Sequence, residues 1–187
     1  MPKSNPRIIS GSAKGIRLRS VPGTSTRPVT DRVKEALFNI IGADILDSSM
    51  LDLFAGTGSI GIEALSRGAR FVRMLDINKT AINILHQNLE KTGLTERADV
   101  VHVNSIQYIN RPANLPFDYI YIAPPQYQGT WQIILNALDD NLTWLSNDGW
   151  VIAQIHPIEY MELDLKNLTR IDERVYGSTQ LVFYARS

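Results

Sequence analysis

The chain has 187 residues and 44% hydrophobic content, enough for one domain with a sizeable core and a small appendage. It has no cysteine, which excludes disulfides and thiolate metal sites, and His86, His102 and His156 show no metal-ligand spacing. The formal net charge of zero hides an asymmetry: Lys3, Arg7, Lys14, Arg17, Arg19, Arg27, Arg32 and Lys34 stand against one acid, Asp31, at the start of the chain, leaving the remainder acidic. A basic arm on an acidic body fits a polyanionic partner and, equally, a solvated basic hairpin. Residues 1–6 contain no apolar signal core, and no stretch approaches the ~20 apolar residues of a membrane span. The expected setting is cytoplasmic, with a processed organellar protein as the alternative.

In chain order, Arg7–Ser10 and Ile16–Arg19 read as two short strands around a glycine-bounded loop, with Ile16 and Leu18 on one face and Arg17 and Arg19 on the other. Val21 to Ser25 reads as a loop. Thr30 can cap a helix that starts at Asp31, carries Val33, Leu37, Ile40 and Ile41 on its apolar side, and ends at Gly42. Strands and helices then alternate, the pattern of a parallel sheet with crossover helices. Strands are expected at 51–54, 71–76, 99–103, 117–122 and 150–155, and helices at 59–67, 79–92 (capped by Asn78), 105–111 and 130–139. The tail reads as strands 168–176 and 179–185, and so short a joint at Gly177-Ser178 makes them antiparallel.

Leu51-Asp52-Leu53-Phe54-Ala55-Gly56-Thr57-Gly58-Ser59-Ile60-Gly61 reads as strand, tight turn and helix. Gly56 would make the turn, Gly58 would let a ligand approach the backbone, and Gly61 would let helix and strand pack closely. Alone, this pattern does not separate one nucleotide-like ligand from another. Asp52 sharpens it. A carboxylate near the strand end disfavours a pyrophosphate and favours a cation such as S-adenosylmethionine, which has a sulfonium and no phosphate. Asp76 follows Gly56 by 20 residues, where an acid takes the ribose hydroxyls of an adenosine. Asn104 and Ser105 end the third strand, where a polar group meets an adenine or starts a helix. The candidate cofactor contacts are Asp52, Phe54, Gly56, Thr57, Gly58, Asp76, Ile77, Asn104 and Ser105. At the end of the fourth strand, Pro124 and Pro125 remove two N–H donors and leave carbonyls free, while Tyr127 or Trp131 offers a ring for an extruded base.

These segments, with Arg7-Ile8-Ile9-Ser10-Gly11, Lys14-Gly15, the run Thr26 to Ile40, and Val103-Asn104-Ser105, resemble the RsmD family of 16S rRNA guanine-N2 methyltransferases over nearly the whole chain. The resemblance implies an α/β, Rossmann-like class I fold with a seven-stranded sheet and an antiparallel last hairpin. An N-terminal arm (1–42) would precede a methyltransferase domain (43–187). It implies S-adenosylmethionine as cofactor and small-subunit ribosomal RNA, or the assembling small subunit, as partner. The expected protein is a monomer with no metal and no membrane contact. Arg7, Lys14, Arg17, Arg19, Arg27 and Arg32 are the candidate RNA contacts.

One motif departs from the family. Where it carries Asp-Pro-Pro followed by Tyr or Phe, this chain has Ala123, Pro124, Pro125, Gln126 and Tyr127. In the family's usual reading the acid accepts a hydrogen bond from the exocyclic amine and the aromatic ring stacks on the base. Ala123 has no side-chain acceptor. The expectation is a working enzyme in which the Gln126 amide, or the Ala123 or Pro124 carbonyl, supplies the acceptor. The competing readings are a non-catalytic module that retains S-adenosylmethionine and binds RNA, and a methyltransferase for another amine, in DNA adenine or a protein glutamine. A dinucleotide dehydrogenase is disfavoured by Asp52 and by the lack of room for a substrate domain.

Overall fold

Short apolar strands alternating with amphipathic helices bury both faces of a sheet only when the helices cross over it. The computed structural model describes residues 5–22 and 29–187. After the arm, α1 (Asp31–Ile41) is capped by the Thr30 hydroxyl, which accepts from the Val33 N–H at 3.3 Å, and Gly42 closes it at φ 65°. The body follows as β1 (Ser49–Asp52), α2 (Ser59–Ser66), β2 (Phe71–Asp76), α3 (Lys79–Thr92), β3 (Ala98–His102), α4 (Ser105–Ile109), β4 (Phe117–Ile122), α5 (Thr130–Asp140), β5 (Leu145–Ile155), β6 (Leu168–Tyr176) and β7 (Thr179–Arg186).

The seven strands form one sheet in the order β3-β2-β1-β4-β5-β7-β6. Strands β1 to β5 are parallel, and β7 runs antiparallel to both β5 and β6. The order reverses between β1 and β4, which opens a crevice at their carboxyl ends. Alternate residues feed two cores. Met50, Tyr119 and Tyr121 point to the face covered by the arm, α1, α2 and α3, while Leu51, Ile120 and Ile122 point to the face covered by α4 and α5.

Three local expectations need correction. The arm does not form two regular strands. Among the described residues its one β-bridge is Arg7 to Arg17, flanked by single bonds such as Ile8 N–H to Ile16 O at 2.9 Å. Several of its other N–H groups are taken by the body: Ile9 and Ser10 donate to the Glu63 carboxylate, Ala13 to Ser66 Oγ, and Arg19 to Asn88 Oδ1. Backbone donors satisfied by side chains need no partner strand. β1 ends at Asp52 rather than 54, because the chain turns into the glycine segment after Leu53 donates to the Tyr121 carbonyl. β5 starts at Leu145, five residues early, through polar residues that read as loop. There the Asp118 carboxylate ties Ser146 to Ser49. Among the described residues no helix is long and apolar enough to cross a membrane.

Candidate active site

A cleft of about 650 Å³ runs across the carboxyl ends of the strands. At one end Asp76 closes β2. Its Oδ2 accepts from the Gly56 N–H at 2.9 Å and its Oδ1 from the Asn78 N–H at 2.8 Å. This carboxylate clasps the glycine turn to the end of β2 while remaining on the cleft wall. It does not cap α3. Asn78 does, accepting from Thr80 and Ala81. Ile77 stands beside it at the mouth, 65% exposed.

Asp52 lies deeper, 1% exposed, with Oδ1 accepting from the Phe54 N–H at 3.3 Å. Burial pushes its carboxyl up to about 7, and the nearby Asp76 charge adds to the rise. Among the described residues no cationic side chain pairs with it. Phe54 and Thr57 line the same cleft.

The glycines divide their work differently from the sequence expectation. Gly56, at φ 54°, faces open space in the cleft, so it is the position that leaves room for a ligand. Gly58 is buried, does not line the cleft, and has φ 80°. A Cβ there would meet Leu85 Cδ1 at 2.2 Å and Ile62 Cδ1 at 2.9 Å. Its constraint is packing against α3, not ligand approach. Gly61 packs on β2, as expected, with Met74 Sδ 2.5 Å from where its Cβ would be.

Asn104 and Ser105 sit on the cleft at the start of α4. Asn104 Oδ1 caps that helix through the Gln107 N–H at 3.1 Å, and Ser105 Oγ donates to the Leu53 carbonyl, tying α4 to β1.

At the far end of the cleft stand Ala123 and Pro125. Pro124, between them, is half-buried. The next two residues turn away, and the chain returns to the cleft wall at Gln128 and Thr130. Gln126 is exposed and outside the cleft lining. Tyr127 is 65% exposed at φ 63°. Its N–H donates to Glu159 Oε2 at 2.7 Å and its ring lies 5.7 Å from that of His156. Trp131 is 1% exposed and stacks on Tyr160 in the core, so it is not available to a base.

The cleft also takes in residues that the sequence reading did not single out. Asn5, Ser20, Val21 and Val29 bring the arm onto its wall. Tyr121 and Gln154 form part of the wall beside Ala123, with the Tyr121 hydroxyl donating to Gln154 Oε1 at 2.5 Å. Burial, then the Asp52 charge, pushes the Tyr121 phenol well above its ordinary range, so it stays protonated as a donor. Tyr121 was legible in principle, since it shares a strand face with Ala123. A lone Gln in the apolar run Trp150–Ile155 is a weaker signal.

The arm's bases are not all free. Lys34 is fully buried, 2.5 Å from the Arg7 carbonyl and 3.4 Å from Glu63. Burial lowers its pKa, against the opposing pull of Glu63. Arg7 pairs with Asp31 at 2.6 Å. Lys14, Arg17, Arg19 and Arg32 are exposed, with Arg19 also donating to Gln87. Arg27 lies outside the described residues.

A buried carboxylate without a cation, a second acid on the wall, and a turn left open by Gly56 fit a ligand that is cationic and has ribose hydroxyls. With the strand order and the antiparallel last hairpin, they define a class I S-adenosylmethionine-dependent methyltransferase. Among the described residues no three His, Cys, Asp or Glu side chains gather into a metal-binding group. The chain belongs to the family described as Conserved hypothetical protein 95, the RsmD family, which matches residues 6–185. It is 35% identical to YlbH of Bacillus subtilis, across 96% of this chain and 98% of that one. It is 33% identical to the ribosomal RNA small subunit methyltransferase D of Haemophilus influenzae, across 97% and 94%. The solved structure of yhhF from Escherichia coli superposes with a TM-score of 0.86 at 31% identity, covering 97% of both chains.

Proposed function

We propose that this chain methylates the exocyclic N2 amine of a guanine in small-subunit ribosomal RNA, acting in the cytoplasm as a monomer. The observation that carries this reading is the single cleft that joins Asp52, Gly56 and Asp76 to the Ala123–Pro125 strand end. The names of the relatives support the ribosomal substrate. S-adenosylmethionine, held by Asp52, Gly56 and Asp76, would supply an electrophilic methyl on a sulfonium, its C–S electron pair staying on sulfur as the amine takes the methyl and gives up its surplus proton to water.

The chain's own groups have distinct tasks. The Asp76 carboxylate accepts from the ribose hydroxyls, and Asp52 offsets the ligand's positive charge in a site where water is excluded. Phe54, Ile77 and Ser105 enclose the adenosine, and Asn104 meets its base. Pro124 and Pro125 hold the strand end rigid, so that the amine is presented within ~3–3.5 Å of the carbon it attacks. Lys14, Arg17, Arg19 and Arg32 bind phosphate, which places a base over the cleft.

Ala123 supports a second reading, a module that binds cofactor and RNA without turnover. Tritiated methyl transfer to small subunits lacking the modification, followed by nucleoside analysis, separates the two. Label in N2-methylguanosine is the expected result. Binding of RNA and cofactor with no transfer to any ribosomal substrate would favour the second reading.

A further inference from the structure

We propose that Gln154 receives the substrate amine, taking over the acceptor role that Ala123 cannot fill. The proposal rests on the reading of this site as one that methylates an exocyclic amine. β4 and β5 are parallel, with Ile122 opposite Ala153. Ala123 and Gln154 each lie one residue further on, so they are neighbours at adjacent strand ends, and both line the cleft. Neighbouring strands are ~4.8 Å apart, and a glutamine carbonyl is one methylene further from its backbone than an aspartate carboxylate. The longer side chain reaches across toward the place where an acid at position 123 would have stood.

The amide is also held. Asp52 pairs with Tyr121 across β1 and β4, and Tyr121, Ala123 and Gln154 share the sheet face on which Asp52 stands. Tyr121 is 1% exposed and donates to Gln154 Oε1. That bond fixes which way the amide points and uses one lone pair of its carbonyl. The second lone pair is available to a donor in the cleft. An anchored, partly buried glutamine in the apolar strand Val151–Ile155 is thus oriented before any ligand arrives. Of the amides that follow the prolines, Gln126 lies outside the lining, and Gln128 lines the cleft but is exposed, whereas Gln154 is partly buried and anchored. Tyr121 is then a positioning residue, acting through Gln154.

The test is single-turnover methyl transfer with enzyme in excess over unmodified small subunits, alongside calorimetric titration of S-adenosylmethionine. Gln154→Ala is expected to slow the chemical step about tenfold, the effect of one lost neutral hydrogen bond, with cofactor affinity within twofold of the wild type. Tyr121→Phe is expected to slow it about threefold. Ala123→Asp placed on Gln154→Ala is expected to restore the rate, a rescue that a purely structural role does not give. Gln154→Met keeps the volume without the acceptor and is expected to match Gln154→Ala, so the answer does not hang on one variant folding. Wild-type single-turnover rates in both Gln154 variants would overturn the proposal, as would parallel loss of cofactor affinity or failure of Ala123→Asp to rescue. If the wild type labels a different base amine and Gln154→Ala still slows it, the guanine reading falls while the role of Gln154 stands. A wild type that transfers no methyl overturns both.

Discussion

The socket that holds the arm and the cleft beneath the strand ends are each built around a buried carboxylate, and the two are treated in opposite ways. Glu63, 0% exposed, is satisfied within the chain: it accepts from the Ile9 and Ser10 N–H groups, pairs with Arg67 at 2.8 Å and lies 3.4 Å from Lys34. Asp52, 1% exposed, has backbone N–H partners, a second acid nearby and a carboxyl pushed up to about 7. Burying a charge is costly unless it is paired. In the socket the fold supplies the partners and the result is architecture. In the cleft no cationic side chain among the described residues pairs with Asp52, which is what supports its proposed role toward a cationic ligand. Burial alone therefore does not mark a functional acid.

The largest effect should come from breaking the socket. Glu63→Ala leaves Lys34 and Arg67 without their shared counter-charge and two arm N–H groups without an acceptor. A cost of ~3–5 kcal/mol is expected, read by chemical denaturation. Stability within 1 kcal/mol of wild type, on the order of a surface substitution, would mean that the arm is not held by this charge.

Asp52 should give the next largest effect, and one that depends on pH. In the ligand-free fold its carboxyl keeps its proton up to about 7, while the unfolded chain releases it near 3.8, the ordinary value for an aspartate. The folded state therefore holds more protons between those values, and stability falls as pH rises through that window, by at most ~4 kcal/mol. Asp52→Asn should remove this slope, so that its stability gains on the wild type from pH 4 to 7. A cationic ligand lowers the raised pKa, so S-adenosylmethionine should bind more tightly as pH rises through 7, with proton release. The variant should lose that dependence. Parallel stability curves for the two proteins would show that Asp52 carries no such strain.

Asp76 tests the cleft at its other end. Asp76→Ala should weaken S-adenosylmethionine binding by ~1.5–3 kcal/mol, the range for hydrogen bonds to a charged group, in calorimetry. Unchanged affinity would leave Asp76 as a clasp for the Gly56 turn alone.

The parts of this comparison that were legible in the sequence are those set by local signals. Asn78 announces the start of α3, Gly177-Ser178 allows only a tight antiparallel return, and Asp52, Gly56 and Asp76 are recognised by spacing along one strand–turn–helix unit. The socket was not legible. Glu63 reads as one more residue of α2, and Lys34 as one more base of a free arm, because Ile9, Ser10 and Lys34 lie far from Glu63 along the chain. The lining by Asn5, Ser20, Val21 and Val29 is hidden for the same reason. At the proline segment the sequence places Gln126 and Tyr127 near the strand end, but the bond from the Tyr127 N–H to Glu159 carries them outward. Gln154 arrives from the neighbouring strand instead.

The smallest effect concerns the outer surface of the arm, where the comparison becomes one between Arg7, in an ion pair, and Arg17 and Arg19, which have no acid partner among the described residues. The backbone beneath Arg17 and Arg19 is fixed by Lys91 Nζ on the Arg17 carbonyl at 2.6 Å and by Asn88 Oδ1 on the Arg19 N–H at 2.7 Å. Their side chains are exposed on a rigid support, with Arg19 also donating to Gln87 Oε1 at 2.7 Å. Each arginine that reaches a phosphate releases counterions and adds about one unit to the slope of log affinity against log salt. Arg17→Ala with Arg19→Ala should therefore flatten that slope by up to about two units for ribosomal RNA, with little change in cofactor affinity. Arg7 already shares its charge with Asp31 at 2.6 Å. Arg7→Ala should flatten the slope by less than one unit, because the pair brings no net charge to the RNA. A double variant with the wild-type slope would show that these two arginines do not reach phosphate. An Arg7→Ala slope change as large as that of Arg17 or Arg19 would show that the Asp31 pair opens when RNA binds.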